Sequence, residues 1–262
     1  MRVVRPEFVP DPERSRAEME ALQREIADAA VFADELGFDP ATVSTTTDSD
    51  QTTLGGADDV PLVAGVDQAF VGDRAVSAVV VMRGGEVVER VHAVEGTEIP
   101  YIPGLLSFRE GGAILAALDE LDHDPDVLLV DGSGRIHFRE AGLATHVGVT
   151  VGVPTVGVAK NLLCGDPDRP LDGGFPEGTR VPIRADDAVE TAANGTHIGD
   201  AAQTRQYDSP NRHVNPLIVS PGHRVSAATA TDLVFATAAG YKLPEPTRLA
   251  DRAADEAKAK VS

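Results

Sequence analysis

Three acidic residues interrupt apolar or turn-forming stretches of this chain. They are Asp67 within "VAGVDQAF", Asp131 at the end of "VLLVD", and Glu110 at the end of "PGLLSFRE". A buried carboxylate without a partner is costly, so each position needs a reason. Taken singly, each has an ordinary one. Asp67 reads as a satisfied core aspartate, and Asp131 before Gly132 as a strand-ending turn. Ser107-Phe108-Arg109-Glu110 reads as a capping box at a helix start. Taken together, the three form an oxygen-rich cluster suited to a hard divalent cation, Mg²⁺ or Mn²⁺. Such a cation lets acids share a cleft, and it supplies the activated water and stabilised leaving oxygen that phosphodiester cleavage needs. Two further residues bear on this chemistry. Lys160 follows "PTVGVA" and is either an ordinary surface lysine or a phosphate-holding cation. The chain has only three other lysines, Lys242, Lys258 and Lys260, which favours the second reading. His223, in "VSPGHRVS", is either a structural loop histidine or an acid/base or metal-facing group.

These residues must be positioned by the surrounding elements. Met19, Leu22, Ile26 and Ala30 recur at helical spacing and predict a helix over 13–36. The stretch "DPATVSTTTDSDQTTLGGADD" has no apolar period and reads as an exposed loop or flexible insertion. From Pro61 three β-rich runs follow, the second and third joined through Gly84-Gly85 as a hairpin. A helix carrying Ile114, Leu115, Leu118 and Leu121 comes next, then "DVLLVDGSG" as a buried parallel-type strand. "AGLATHVGVTVG" predicts a helix, "PTVGVAK" a short strand, and "TRVPIR" opens a hairpin that ends in "NPLIVSPGHRVS". The final core helix is expected over 226–239. Antiparallel strands followed by alternating helix and strand make one mixed-sheet α/β domain. Ligands of such sheets bind at the carboxyl ends of strands, where Asp131 should sit. The expected organisation is an N-terminal helix and flexible segment over 1–60, an enzymatic domain over 61–251, and an acidic, Ala-rich tail over 252–262.

Composition limits the setting. A net charge of −19, spread along all 262 residues, would ordinarily argue against nucleic acid, whose affinity comes from basic faces. With lysine nearly absent, the same pattern fits a protein kept soluble in a high-salt cytoplasm by its acidic surface. One cysteine, Cys164, excludes an intrachain disulfide and fits a reducing cytosol. No apolar leader or membrane-length run is present in the sequence, so a soluble, cytoplasmic monomer is expected.

Four stretches carry a resemblance. "PYIPGLLSFRE", "LLVDGSGRIHFREAGLATHVG", "PTVGVAKNLLCG" and "SPGHRVS…GYKLPEPTRLAD" are similar, in order, to motifs of the endonuclease V family. The resemblance runs from about Pro61 to Asp251. It implies a ribonuclease H-like mixed β-sheet flanked by helices, and Mg²⁺ dependence with Mn²⁺ able to substitute. It also implies cleavage at the second phosphodiester bond 3′ to a deoxyinosine, leaving a 3′-hydroxyl and a 5′-phosphate. Residue by residue, Asp67, Asp131 and Glu110 match the family's acidic metal site, and His223 a fourth member of the catalytic set. Lys160 matches a lysine near the scissile phosphate. Pro100-Tyr101-Ile102-Pro103 matches a strand-separating wedge, which two prolines would stiffen. Gly104, Leu106, Gly132 and Leu163 match positions lining a pocket for the rotated base, and His137 a histidine beside it. The chain departs from the family at His137-Phe138-Arg139, often His-Pro-Arg, and at Asp131-Gly132-Ser133-Gly134, often Asp-Gly-His-Gly. The partner implied is DNA containing deoxyinosine. Inosine-containing RNA is an alternative, since reading the 2′-hydroxyl depends on contacts invisible in sequence. A lesion-binding protein without turnover is a third reading.

Overall fold

The computed structural model describes residues 1–45, 60–97, 99–100, 102–172, 174–208 and 213–261. Tyr101 and most of the Ser/Thr/Asp-rich segment, 46–59, lie outside the described residues.

The centre is a nine-stranded sheet, described here in chain order. β1 (Leu62–Val71), β2 (Arg74–Arg83) and β3 (Glu86–Gly96) form an antiparallel meander. Its turns fall at Gly72 and Gly84, both left-handed, as tight hairpins of this kind require. After helix α1 (Arg16–Ala29) and this meander come α2 (Leu106–Asp119), β4 (Val127–Asp131), α3 (Leu143–Val151) and β5 (Thr155–Ala159). β6 (Asp166–Pro167), β7 (Arg180–Arg184), β8 (His197–Ala202) and β9 (Leu217–His223) follow, then α4 (Ala227–Ala236) and α5 (Glu245–Val261). The sheet order is β3-β2-β1-β4-β5-β9-β8-β7-β6. Among the described residues only the central β1-β4 and β4-β5 pairs are parallel.

The burial patterns explain these choices. β1, β2, β4 and β5 are covered on both faces and read as near-continuous apolar runs, whereas the edge strand β3 alternates. On one face α2 and α3 pack Ile114, Leu118, Leu143 and Val147 against Ala64, Val66, Leu128 and Val130. On the other, α4 sets Ala230, Leu233 and Val234 against Val63, Leu129, Val156 and Val219.

Both chain ends belong to this body. α1 is shorter than the spacing predicts, and it starts with a capping box between Ser15 and Glu18. Its Met19, Leu22 and Ile26 pack with Ile99, Leu105, Phe108, Ala141 and Val149. α5 is continuous through residues 251 and 252, where composition suggested that a tail begins. Its Ala250, Ala254 and Ala257 are buried against the meander. β1 meets the first turn of α5 so closely that a Cβ on Gly65 would overlap the Pro246 carbonyl. Glycine here sets the depth at which α5 docks. Among the described residues no helix is long and apolar enough to cross a membrane.

Candidate active site

β1 and β4 run parallel and in register up to Val66 beside Val130. The next residue on each strand is therefore an aspartate, so Asp67, midway along β1, stands beside Asp131, the last residue of β4, just past the end of their parallel pairing. Val158 of β5 pairs with Asp131, and Lys160 lies just past that strand's end. Its Nζ is 3.0 Å from Asp131 Oδ2. Asp67 is buried at 5% exposure, and its Oδ1 accepts a 2.7 Å hydrogen bond from the Gln68 amide. Glu110 is also buried, near enough to Asp131 to feel its charge.

Glu110 does not close a helix start. α2 begins at Leu106 with Leu105 as its N-cap and no capping side chain, so Glu110 lies in the second turn and Ser107 in the first. The capping-box alternative is thereby removed.

The structure adds a carboxylate that sequence reasoning passed over. Asp251 on α5 hydrogen-bonds the Asp67 carboxyl. The signal is the acid closing "PEPTRLAD", the last residue of the stretch similar to the family, to which the sequence reading assigns no role.

This crowding shifts the titrations. Burial first, then the charge of Asp131, pushes Asp67 up to about 9. Burial pushes Glu110 up to about 7, with Arg109 opposing and Asp131 adding. Burial disfavours the Lys160 ammonium, but Asp131 more than offsets this and holds it above the usual lysine range. Among the described residues, no three His, Cys, Asp or Glu side chains already converge as a metal cage. Asp67, Asp131, Asp251 and Glu110 instead form a set of oxygen donors that repel one another beside one ammonium. The chemistry of that donor set fits a hard divalent cation.

His223 stands apart from this set. It pairs with Thr155, at the opposite end of β5 from Lys160. Three residue steps along the strand take Thr155 to Val158, about 10 Å. His223 is buried, its Nδ1 accepts from the Val31 amide, and burial holds it down to about 4. The structure thus sets His223 apart from the acids with which the sequence reading grouped it. The antiparallel direction of β9 carries the residue after "VSPG" away from the strand ends.

Beside Asp131 and Lys160 opens a cavity of about 330 Å³. Gly104, Leu106, Gly132 and Leu163, the positions expected to line a pocket, all line it, as do Ile102 and Pro103 of the expected wedge and His137. Pro100 is exposed on the loop approaching it. Pro103-Gly104 is a tight turn, with the Leu105 amide bonded to the Ile102 carbonyl at 3.0 Å and Gly104 at φ +81°. Proline then left-handed glycine is the combination a type II turn demands. His137 closes the rear. Its Nδ1 accepts from the Arg139 amide at 3.1 Å, so its Nε2 carries the proton and donates to the Gly104 carbonyl at 3.0 Å. Burial holds this ring down to about 4, against the bond to Gly104, so it is neutral at physiological pH.

A central parallel pair of strands carrying adjacent aspartates, inside this mixed sheet, defines a ribonuclease H-like nuclease. The family model described as Endonuclease V matches residues 44–252. Endonuclease V of Haloarcula marismortui is 72% identical over 98% of each chain. The solved endonuclease V of Streptomyces avermitilis superposes with a TM-score of 0.75 at 31% identity, covering 98% of this chain and 97% of that one. That of Ciona intestinalis, solved with a DNA containing an inosine followed by a ribo-adenosine, has a TM-score of 0.70. It is 24% identical and covers 94% of this chain and 98% of its own. The chain belongs to the endonuclease V family, and it is an enzyme that acts on phosphodiester bonds.

Proposed function

We propose that this protein is a Mg²⁺-dependent DNA repair endonuclease that recognises deoxyinosine and cuts the second phosphodiester bond 3′ to it. The observation that carries the reading is the shared wall of two compartments. Asp131 and Lys160 belong both to the carboxylate cluster and to the lining of the base-sized cavity. A nucleotide rotated into the cavity thus places its own backbone beside the acids.

Asp67, Asp131 and Asp251 would hold the metal, with Glu110 in support, and Mn²⁺ has the same preference for oxygen donors. When bound, the cation supplies charge stabilisation at the reacting phosphate and lowers the pKa of a water. The chain's own residues do the rest. Lys160 offers an ammonium to a phosphate oxygen. Gly104, Leu106, Gly132 and Leu163 shape the cavity around the base, and His137 fixes the Gly104 carbonyl without changing charge. Pro100, Ile102 and Pro103 stiffen the loop that bears Tyr101, which would fill the gap left in the base stack.

End-labelled oligonucleotides carrying one inosine or one adenine at the same place test this. With Mg²⁺, the inosine strand should be cut once, at the second bond 3′ to the lesion, leaving 3′-hydroxyl and 5′-phosphate ends. Equal cutting of both strands refutes the reading. Matching RNA oligonucleotides decide between a DNA and an RNA target.

A further inference from the structure

α1 precedes the stretch that the family model matches, yet it reaches the cavity from behind. Gln23 is fully buried within its apolar face, at 0% exposure. Its Nε2 donates to the Gly104 carbonyl at 2.8 Å and stands 3.5 Å from the Ala141 carbonyl. Its Oε1 accepts from Arg139 Nη1 at 3.0 Å. A carbonyl can only accept and a guanidinium can only donate, so these partners fix the orientation of the amide. Arg139 is itself held by Glu20 of α1 at 3.2 Å and by Glu190 at 3.6 Å.

One side chain thereby joins three segments: the Pro103-Gly104 turn, the loop after β4, and α1. Gly104 and Ala141 both line the cavity, while Gln23 does not. The Gly104 carbonyl accepts from Gln23 and His137 together, which uses both its lone pairs and holds the turn against the rear wall. Packing alone does not call for an amide here. Met19, Leu22 and Ile26 flank the position, and a leucine would fill it without the cost of desolvating polar atoms.

We propose that Gln23 is a positioning residue that sets the width of the base cavity, and with it the preference for inosine over an ordinary purine. This rests on the inosine-directed function proposed above. Its test is a pair of variants, Gln23→Leu and Gln23→Glu, assayed for binding in a chelator so that no cleavage intervenes. Glu keeps the acceptor for Arg139 but sets an oxygen against the Gly104 carbonyl, so it serves if Leu fails to fold. The probes are fluorescent single-stranded oligonucleotides with one inosine or one adenine, and a melting curve accompanies each titration.

The loss of one buried hydrogen bond of this kind corresponds to about a tenfold change in affinity. The inosine-to-adenine preference should therefore fall about tenfold in both variants, with adenine-strand binding unchanged. A residue that merely stabilises the fold would lower the melting temperature and leave that ratio intact. If wild type prefers inosine and both variants keep the preference, the role of Gln23 is refuted and the proposed function stands. If wild type itself shows no preference, the inosine reading falls, and this inference with it.

Discussion

Glu110 lends itself to a test without any substrate. The residue is 7% exposed, and burial together with Asp131 places its carboxyl pKa at about 7 in place of 4.5. The sign follows from proton counting. Between pH 4.5 and 7 the folded state retains a proton that the unfolded state has lost, so stability falls as pH rises through this window. At 1.36 kcal/mol per unit, a shift of about 2.5 units corresponds to about 3 kcal/mol lost across it. Asp67, pushed up to about 9, extends the same slope to higher pH. The assay is a urea titration of the metal-free protein at several pH values, in molar KCl with a chelator. Glu110→Gln should remove Glu110's share of the slope between pH 4.5 and 7, leaving that of Asp67, and make the protein more stable at pH 8. Added Mg²⁺ should flatten the wild-type profile, because a cation stabilises the ionised acids. A wild-type protein equally stable at pH 5 and pH 8 without metal would refute the electrostatic picture of this site.

Further expectations concern salt, the wedge and the added carboxylate. With a net charge of −19, the protein needs screening to approach DNA. Cleavage should therefore persist or peak at molar KCl, and a rate measured against KCl that collapses above low salt would contradict this. Tyr101→Ala should slow cleavage of inosine-containing duplex more than of single strand, by the roughly 1–3 kcal/mol that aromatic stacking contributes. Equal losses on both substrates would return Tyr101 to ordinary packing. Asp251→Asn should raise the Mg²⁺ concentration needed for half-maximal rate about tenfold or more, read from a metal titration. An unchanged titration would leave Asp251 as a surface acid.

What the sequence makes legible is set by locality. β4 and β5 announce themselves as uninterrupted apolar runs, and their ends place Asp131 and Lys160 correctly, because strand polarity needs no distant information. The Pro103-Gly104 turn is likewise encoded in two adjacent residues. His223 is different. Its position depends on β9 running antiparallel to β5, and Thr155 and His223 pair across 68 positions, which no local pattern records. α5 was obscured by its own composition. An Ala-rich helix with abundant charge resembles a solvated tail until Gly65 is seen to admit its first turn. With α5 unplaced, Asp251 could not be recognised as a partner of Asp67. The Gln23 link is also a product of tertiary packing, joining residues 81 and 116 positions apart.

The central claim is that the adjacent acids of β1 and β4 cut the strand whose base occupies the neighbouring cavity. Asp131→Asn tests it most directly, since the amide keeps the shape of the carboxylate and loses its charge. Single-turnover cleavage of the inosine oligonucleotide should fall about a thousandfold, corresponding to roughly 4 kcal/mol of lost transition-state stabilisation. Binding of the same strand should persist, and the melting temperature should hold or rise as the repulsion on Asp67 is relieved. Cleavage by Asp131→Asn at a near wild-type rate would contradict the account.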